Sequence, residues 1–235
     1  MTQNSSSLLF SVDESSQYNV TIDWRDDPLD EFDIYAGRYQ VAANLLADDL
    51  LSQPGFHDID VCPIVFLYRH VIELYLKAIC LSGYNYFRIL NKRLLFNGND
   101  LVKEKLFERH NLPPLLETVK QITEEMSGNW EFENDESFKD YQDFRTAIEE
   151  FEQIDSGSYT FRYPYSKKEG QAALPKGFAF DFASLKINSN FIIDILDGIS
   201  TQLKRNLDQA LELAVQQQVI ESQSLDPDFQ DTSNA

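Results

Sequence analysis

One segment, residues 61–82 (VCPIVFLYRHVIELYLKAICLS), constrains the fold of this chain more than any other. Asp60 can cap a helix here, Pro63 fits its first turn, and Gly83 follows as a stop signal. Apolar side chains surround nearly the whole circumference of such a helix. The segment is therefore predicted to be the central, buried helix of a helical bundle.

Four ionisable residues interrupt this apolar segment, at Arg69, His70, Glu73 and Lys77. At about 100° per residue they share one arc of roughly 100°, which we call the charged strip. Charged groups on a buried helix need partners. Arg69–Glu73 and Glu73–Lys77 have the i,i+4 spacing of ion pairs, which indicates a structural network. The alternative is that the charged strip lines a functional cleft.

The rest of the chain also has mainly helical periodicity, with little strand signal. The fold class predicted is all-α, an up-and-down helical bundle with an irregular N-terminal arm. The arm covers residues 1–29 and is expected to be partly disordered, the helical domain covers 30–220, and a disordered acidic tail covers 221–235. Helices are predicted at 30–52, 61–82 with an extension or short helix over 84–96, 110–126, 137–154 and 181–221, the last as one helix or two.

The charge of the chain argues against general nucleic-acid binding. The formal net charge is −19, whereas nucleic-acid-binding surfaces are normally basic. Residues 84–120 hold seven basic and four acidic residues, which leaves a local basic site open. Residues 121–155 hold twelve acidic and two basic residues, so the alternative is that the basic segment neutralises its acidic neighbour.

Motifs of common enzyme and membrane classes are absent from the sequence. There is no dinucleotide-binding or phosphate-binding glycine motif, no zinc-protease motif and no nucleophile elbow. Cys62 and Cys80 have no metal-ligand spacing, and no apolar run is long enough for a transmembrane span. We expect a reduced cytoplasmic protein with no membrane association, no metal and no cofactor.

Three further residues are candidates for chemistry. His110, in Arg-His-Asn-Leu, begins a helix, where it either packs or acts as a base with a partner in hydrogen-bond reach. Arg162, in Phe-Arg-Tyr-Pro, either stacks on aromatic rings or binds an anion such as phosphate. His57, in His-Asp-Ile-Asp, has a metal-ligand residue type, but no second group of ligands supports it.

Three segments in order resemble the HEPN superfamily. They are YRHVIELYLKAICLSG (68–83), RHNLPPLLETV (109–119) and FRYPYS (161–166), and the resemblance covers roughly residues 30–215. It implies an all-α up-and-down bundle of four or five helices, often dimeric, in prokaryotic toxin–antitoxin, phage-defence or nucleotide-associated systems. Glu73, Lys77, His110 and Arg162 lie at the pattern positions.

Active HEPN members are metal-independent ribonucleases with Arg-x4–6-His on one helix, and this chain departs from that motif. The required positions, 50–52, 63–65 and 103–105, contain no arginine. The function expected first is a non-catalytic interaction module that forms a homodimer and binds a protein partner or a nucleotide, with Arg69, Lys77 and Arg162 as ligand-binding candidates. The alternative is a divergent endoribonuclease, or toxin, that acts on RNA with Arg69, His70, Glu73, His110 and Arg162. A third hypothesis is an unrelated helical structural protein, whose charged strip would be fully paired.

Overall fold

A computed structural model describes Leu9, residues 13–22, 31–53, Gly55, and residues 58–132, 137–166 and 171–224. These residues form an all-α helical bundle, which confirms the predicted fold class. Two-residue strands, β1 (Leu95–Phe96) and β2 (Asn99–Asp100), form a small antiparallel hairpin, and a 3-10 turn spans Lys103–Leu106. The α-helices of the described residues are α1 (Phe32–Ser52), α2 (Val61–Ile89), α3 (Leu112–Glu125), α4 (Tyr141–Ile154) and α5 (Phe182–Ser224).

Helix α2 is the centre of the bundle, as its nearly continuous apolar surface predicts. Every residue from Val71 to Leu81 is buried, so the helix is covered on all sides over three turns. Helices α1, α3 and α5 all pack against it. A helix covered in this way can expose no charged side chain, and the charged strip must find its partners inside the protein.

The prediction that Gly83 is a stop signal is wrong, because α2 continues through it to Ile89. The predicted helical extension over 84–96 is confirmed as far as Ile89, whereas Leu95–Phe96 forms β1. Gly83 has a different role, since a Cβ built there would lie 2.2 Å from Cδ1 of Ile122. The glycine lets α3 approach the backbone of α2 closely. A glycine in this sequence context therefore marks a packing contact and not a helix end.

Helices α1 and α5 run antiparallel along one side of α2. Lys204 contacts Asp33 at 2.6 Å near one end, and Asn44 donates to Asn190 at 3.0 Å further along. Helix α5 is a single helix, capped by Asp181, whose Oδ1 accepts the backbone N–H of Ala183 at 2.9 Å. From residue 205 to residue 220 its side chains are exposed or half-buried, because this end of α5 extends beyond the helices that cover its first half.

The connection from α2 to α3 contains the hairpin formed by β1 and β2. Asn97 and Gly98 both have positive φ, at 52° and 73°, which is the geometry of a tight hairpin turn. The connection that contains this hairpin returns the chain toward the beginning of α2 before α3 begins. Helices α2 and α3 therefore run parallel to each other. Helix α4 begins at Asp140, whose Oδ1 accepts the N–H of Gln142 at 2.7 Å.

Parts of the predicted arm and tail lie outside the described residues, among them 1–8, 10–12, 23–30 and 225–235; His57 lies outside them too. The described residues 13–22 contain turns and neither helix nor strand. Helix α5 continues to Ser224, four residues into the predicted acidic tail. Within the described residues, no helix combines the length and the apolarity that crossing a bilayer requires.

Candidate functional site

Arg69, Glu73 and Lys77 of the charged strip meet the start of α3 and the end of α4 in one largely buried group of ionisable residues. Arg69, Glu73 and Lys77 are only 0%, 2% and 4% exposed. We call the whole group the Arg69 cluster; its members are Arg69, Glu73, Lys77, His110, Glu152 and Asp155.

Arg69 is the centre of this cluster and contacts three different elements. Its Nη1 lies 3.3 Å from Oε2 of Glu73 on the same helix. Its Nη2 donates to the backbone carbonyl of His110 at 2.8 Å and lies 3.3 Å from Oε2 of Glu152. Its Nε faces Oδ2 of Asp155 at 3.6 Å. One guanidinium therefore joins α2 to the start of α3 and the end of α4.

Glu73 is ionised in the folded protein, although it is buried. Burial alone would raise the pKa of Glu73, but the charges and hydrogen bonds of Lys77 and His110 outweigh it, and the pKa lies below its ordinary value. Lys77 Nζ donates to Oε1 at 2.8 Å. Because an ionised carboxylate only accepts hydrogen bonds, the Nδ1 of His110, 2.9 Å from the same oxygen, is the donor.

His110 is the most accessible member of the Arg69 cluster. Its side chain is 53% exposed although Nδ1 is held by Glu73. With Nδ1 protonated, Nε2 is the basic nitrogen of the ring. A carboxylate that fixes the tautomer of an accessible histidine is an arrangement that general acid–base catalysis uses.

Glu152 and Asp155 supply much of the negative charge around Arg69, and no sequence motif pointed to them. Asp155 Oδ1 also accepts the N–H groups of Tyr159 and Thr160, at 2.5 and 2.6 Å, and so fixes the start of the following loop. Glu152 Oε2 accepts the N–H of Leu112 at 3.1 Å and thereby caps α3. The available signal was the excess of acidic residues in residues 121–155, where twelve acidic residues accompany only two basic ones.

His70 is part of the charged strip but is not a member of the Arg69 cluster. Its ring stacks on Phe66, with centroids 5.7 Å apart, and the ring of Tyr39 packs edge-on against it at 4.9 Å. Desolvation by burial is the main cause that lowers the pKa of His70, although Glu73 opposes it. His70 is therefore a neutral packing residue near neutral pH.

Arg162 lies beside this aromatic group and is exposed. Its guanidinium carbon is 5.4 Å from the centroid of Phe66 and 5.8 Å from that of Tyr163. Tyr163 belongs to a group of tyrosines in the loop after α4, with Tyr159 at 4.5 Å and Tyr165 at 6.3 Å. The structure thus places Arg162 in stacking contact near His70, and none of the ion pairs among the described residues joins it to the Arg69 cluster.

The surface over the cluster is shallow. A depression of about 220 Å³ lies at its edge, lined by Pro113, Glu149, Glu152 and Gln153. Among the residues that the structure describes, no group of three or more His, Cys, Asp or Glu side chains is arranged to hold a metal ion.

Comparison with protein-family models, with curated proteins and with solved structures gave no match. The resemblance to HEPN therefore depends on the three sequence segments and stays a prediction.

Two features of the site decide what it can do. The cationic side chains of Arg69 and Lys77 are buried and paired, so neither can reach a ligand at the surface without breaking its pairs. Of the predicted set, His110 and Arg162 are the most accessible to an external molecule, and His70 is half-buried.

Proposed function

We propose that this chain is a non-catalytic interaction module that self-associates and binds a protein partner or a nucleotide. The observation that carries the proposal is that the charged side chains of the strip already have partners inside the protein. Arg69, Glu73 and Lys77 form ion pairs with one another and with their neighbours in the Arg69 cluster, and all three are buried. The charged groups that a catalytic strip would offer to a substrate therefore serve to join three helices.

Exposed apolar side chains support self-association. Large apolar residues lie exposed on α1 and along the last turns of α5, and contiguous exposed apolar surface marks interaction sites. The three HEPN-like segments favour a role in a cytoplasmic toxin–antitoxin or phage-defence system. Arg162, exposed beside aromatic rings, is the residue that we expect to contact an anionic group of a bound partner.

Light scattering coupled to size-exclusion chromatography tests the self-association. We expect a homodimer at micromolar concentrations. A monomer over the same range of concentrations would contradict the proposal.

A second candidate function, a divergent metal-independent endoribonuclease, is favoured by one specific observation. Glu73 holds Nδ1 of a half-exposed His110 at 2.9 Å, and Arg69 contacts the backbone of the same histidine. His110 would act as general acid or base, and Arg162 would stabilise the negative charge of the transition state. Arg69, Glu73 and the stacked His70 would be positioning residues in this reaction.

Incubation of the purified protein with total RNA separates the two functions. The variants are His110→Ala and Arg162→Ala, with Arg88→Ala as the matched control, because Arg88 is also exposed and lies over a tyrosine ring, 5.7 Å from that of Tyr84. The interaction module predicts no cleavage by any of the four proteins. Cleavage by the wild type and the control that is lost in both site variants would establish the ribonuclease instead.

A further inference from the structure

We infer that the exposed side of α1 pairs with the same side of α1 in a second copy of this chain, in an antiparallel arrangement about a two-fold axis. This inference depends on the self-association in the proposed function and identifies the surface that mediates it. The residues concerned, which we call the α1 face, are Arg38, Val41, Ala42, Leu45, Leu46 and Asp49.

The α1 face is apolar at its centre and turned away from the bundle. Leu45 is 67% exposed, and Val41 and Leu46 are also exposed, whereas Ala43 and Ala47 on the other side of α1 are buried. Arg38, Ala42, Leu45 and Asp49 follow one another at intervals of four, three and four residues. This spacing places them along one stripe of the helix, as in the seam of a coiled coil.

The charges of the α1 face favour a second copy as the partner. Arg38 and Asp49 lie at opposite ends of the stripe, eleven residues or about 16 Å apart. None of the ion pairs among the described residues involves either side chain. A helix with a cation at one end of its seam and an anion at the other is complementary to itself when the two copies run antiparallel.

The antiparallel register follows from these positions. A two-fold axis between Ala43 and Asn44 brings Arg38 of each copy opposite Asp49 of the other. The same axis places Ala42 opposite Leu45, and Val41 opposite Leu46, at symmetric positions. Such an interface is isologous and closes at the dimer. A parallel pairing would place like charges opposite one another, so the charge pattern selects the antiparallel one.

Charge exchange between Arg38 and Asp49 tests the register. Arg38→Asp and Asp49→Arg each put like charges together at two symmetric positions, and each is expected to weaken the dimer about tenfold or more. The double variant Arg38→Asp/Asp49→Arg restores opposite charges at both positions. We therefore expect its dissociation constant, measured by sedimentation equilibrium, to return to within about threefold of the wild type. Failure of the double variant to recover would overturn the inferred register.

The apolar centre is tested by Leu45→Glu, which is expected to give a folded monomer with wild-type helicity. Ile220→Glu is the matched control, because Ile220 is 65% exposed but lies on α5. A control that remains dimeric supports the α1 face. If Ile220→Glu is monomeric and Leu45→Glu is dimeric, self-association stands but uses α5, and the inference is wrong. A monomeric wild type contradicts the proposed function itself.

Discussion

Gly83 faces Ile122 so closely that a Cβ on the glycine would lie 2.2 Å from Cδ1 of the isoleucine. This contact fixes the approach of α3 to the central helix. His110, which contacts Glu73, lies two residues before the first residue of the same helix α3.

Gly83→Ala is expected to lower the free energy of unfolding by about 1–2 kcal/mol. The clash with Ile122 costs more than alanine gains in helix propensity, since overpacking costs about 1–3 kcal/mol and the propensity gain is about 0.5–1 kcal/mol. Chemical denaturation measures the difference. Gly198→Ala is the control, because a Cβ at Gly198 in α5 meets no atom within 4 Å, and this change is expected to stabilise the protein. Equal effects of both substitutions would contradict the packing role of Gly83.

Arg69→Met is expected to destabilise the fold by about 3–5 kcal/mol, because removing the guanidinium leaves buried carboxylates without their cation. The free energy of unfolding in urea measures this loss. Arg145→Ala provides the comparison, since Arg145 pairs with Glu149 at 2.7 Å on the surface. This substitution should lower the free energy of unfolding by less than about 1 kcal/mol. A change at Arg69 as small as that at Arg145 would show that the cluster contributes little to stability.

His70 gives the stability of the protein a pH dependence near neutrality. Because burial depresses its pKa in the folded state, the folded protein resists protonation of a ring that the unfolded chain protonates at about pH 6.5. The contribution of the neutral His70 ring to the free energy of unfolding is thus complete above about pH 6.5. It is lost as the pH falls through the pKa that His70 has in the folded protein. His70→Phe should keep the stacking on Phe66 and reduce this loss in unfolding measured from pH 8 to pH 5. An unchanged slope would exclude His70 as its source.

Glu73 contributes a second pH dependence in a more acidic range. Its pKa is lowered in the folded state, so its contribution is complete above the ordinary value of 4.5 and is lost as the pH falls through the folded pKa. Glu73→Gln should cost about 3 kcal/mol at pH 7 and flatten the acid limb of the stability profile. Glu124→Gln is the matched control, because Glu124 forms an i,i+4 pair with Lys120 that is exposed. Glu124→Gln should lower the free energy of unfolding by less than about 1 kcal/mol.

Local periodicity was enough to predict the five helices, but not the partners of the charged strip. Arg69, Glu73 and Lys77 share an arc because of helix geometry alone, and the i,i+4 spacing correctly indicated two of their ion pairs. Glu152 and Asp155 lie more than eighty residues from Arg69 in sequence. Their contact with it depends on how α4 packs, which no local pattern encodes.

The same limit applies to residues whose type alone suggests a helix end. Asn111 occupies the cap position of α3, but its side chain makes no cap hydrogen bond, and the carboxylate of Glu152 accepts the N–H of Leu112 instead. Gly83 was predicted to end the helix because glycine is frequent at helix ends. In the structure, a glycine is required there because Ile122 of α3 packs closely against it. Both outcomes were decided by a contact between distant segments.

The position of Arg69 has a consequence for how this chain is synthesised. Arg69 leaves the ribosome before Glu152, which lies 83 residues later in the chain. Until α4 has emerged, closing the core would trap a cation without enough counter-charge. The nascent protein is therefore expected to stay open at this point and to close in one late step, when the end of α4 arrives.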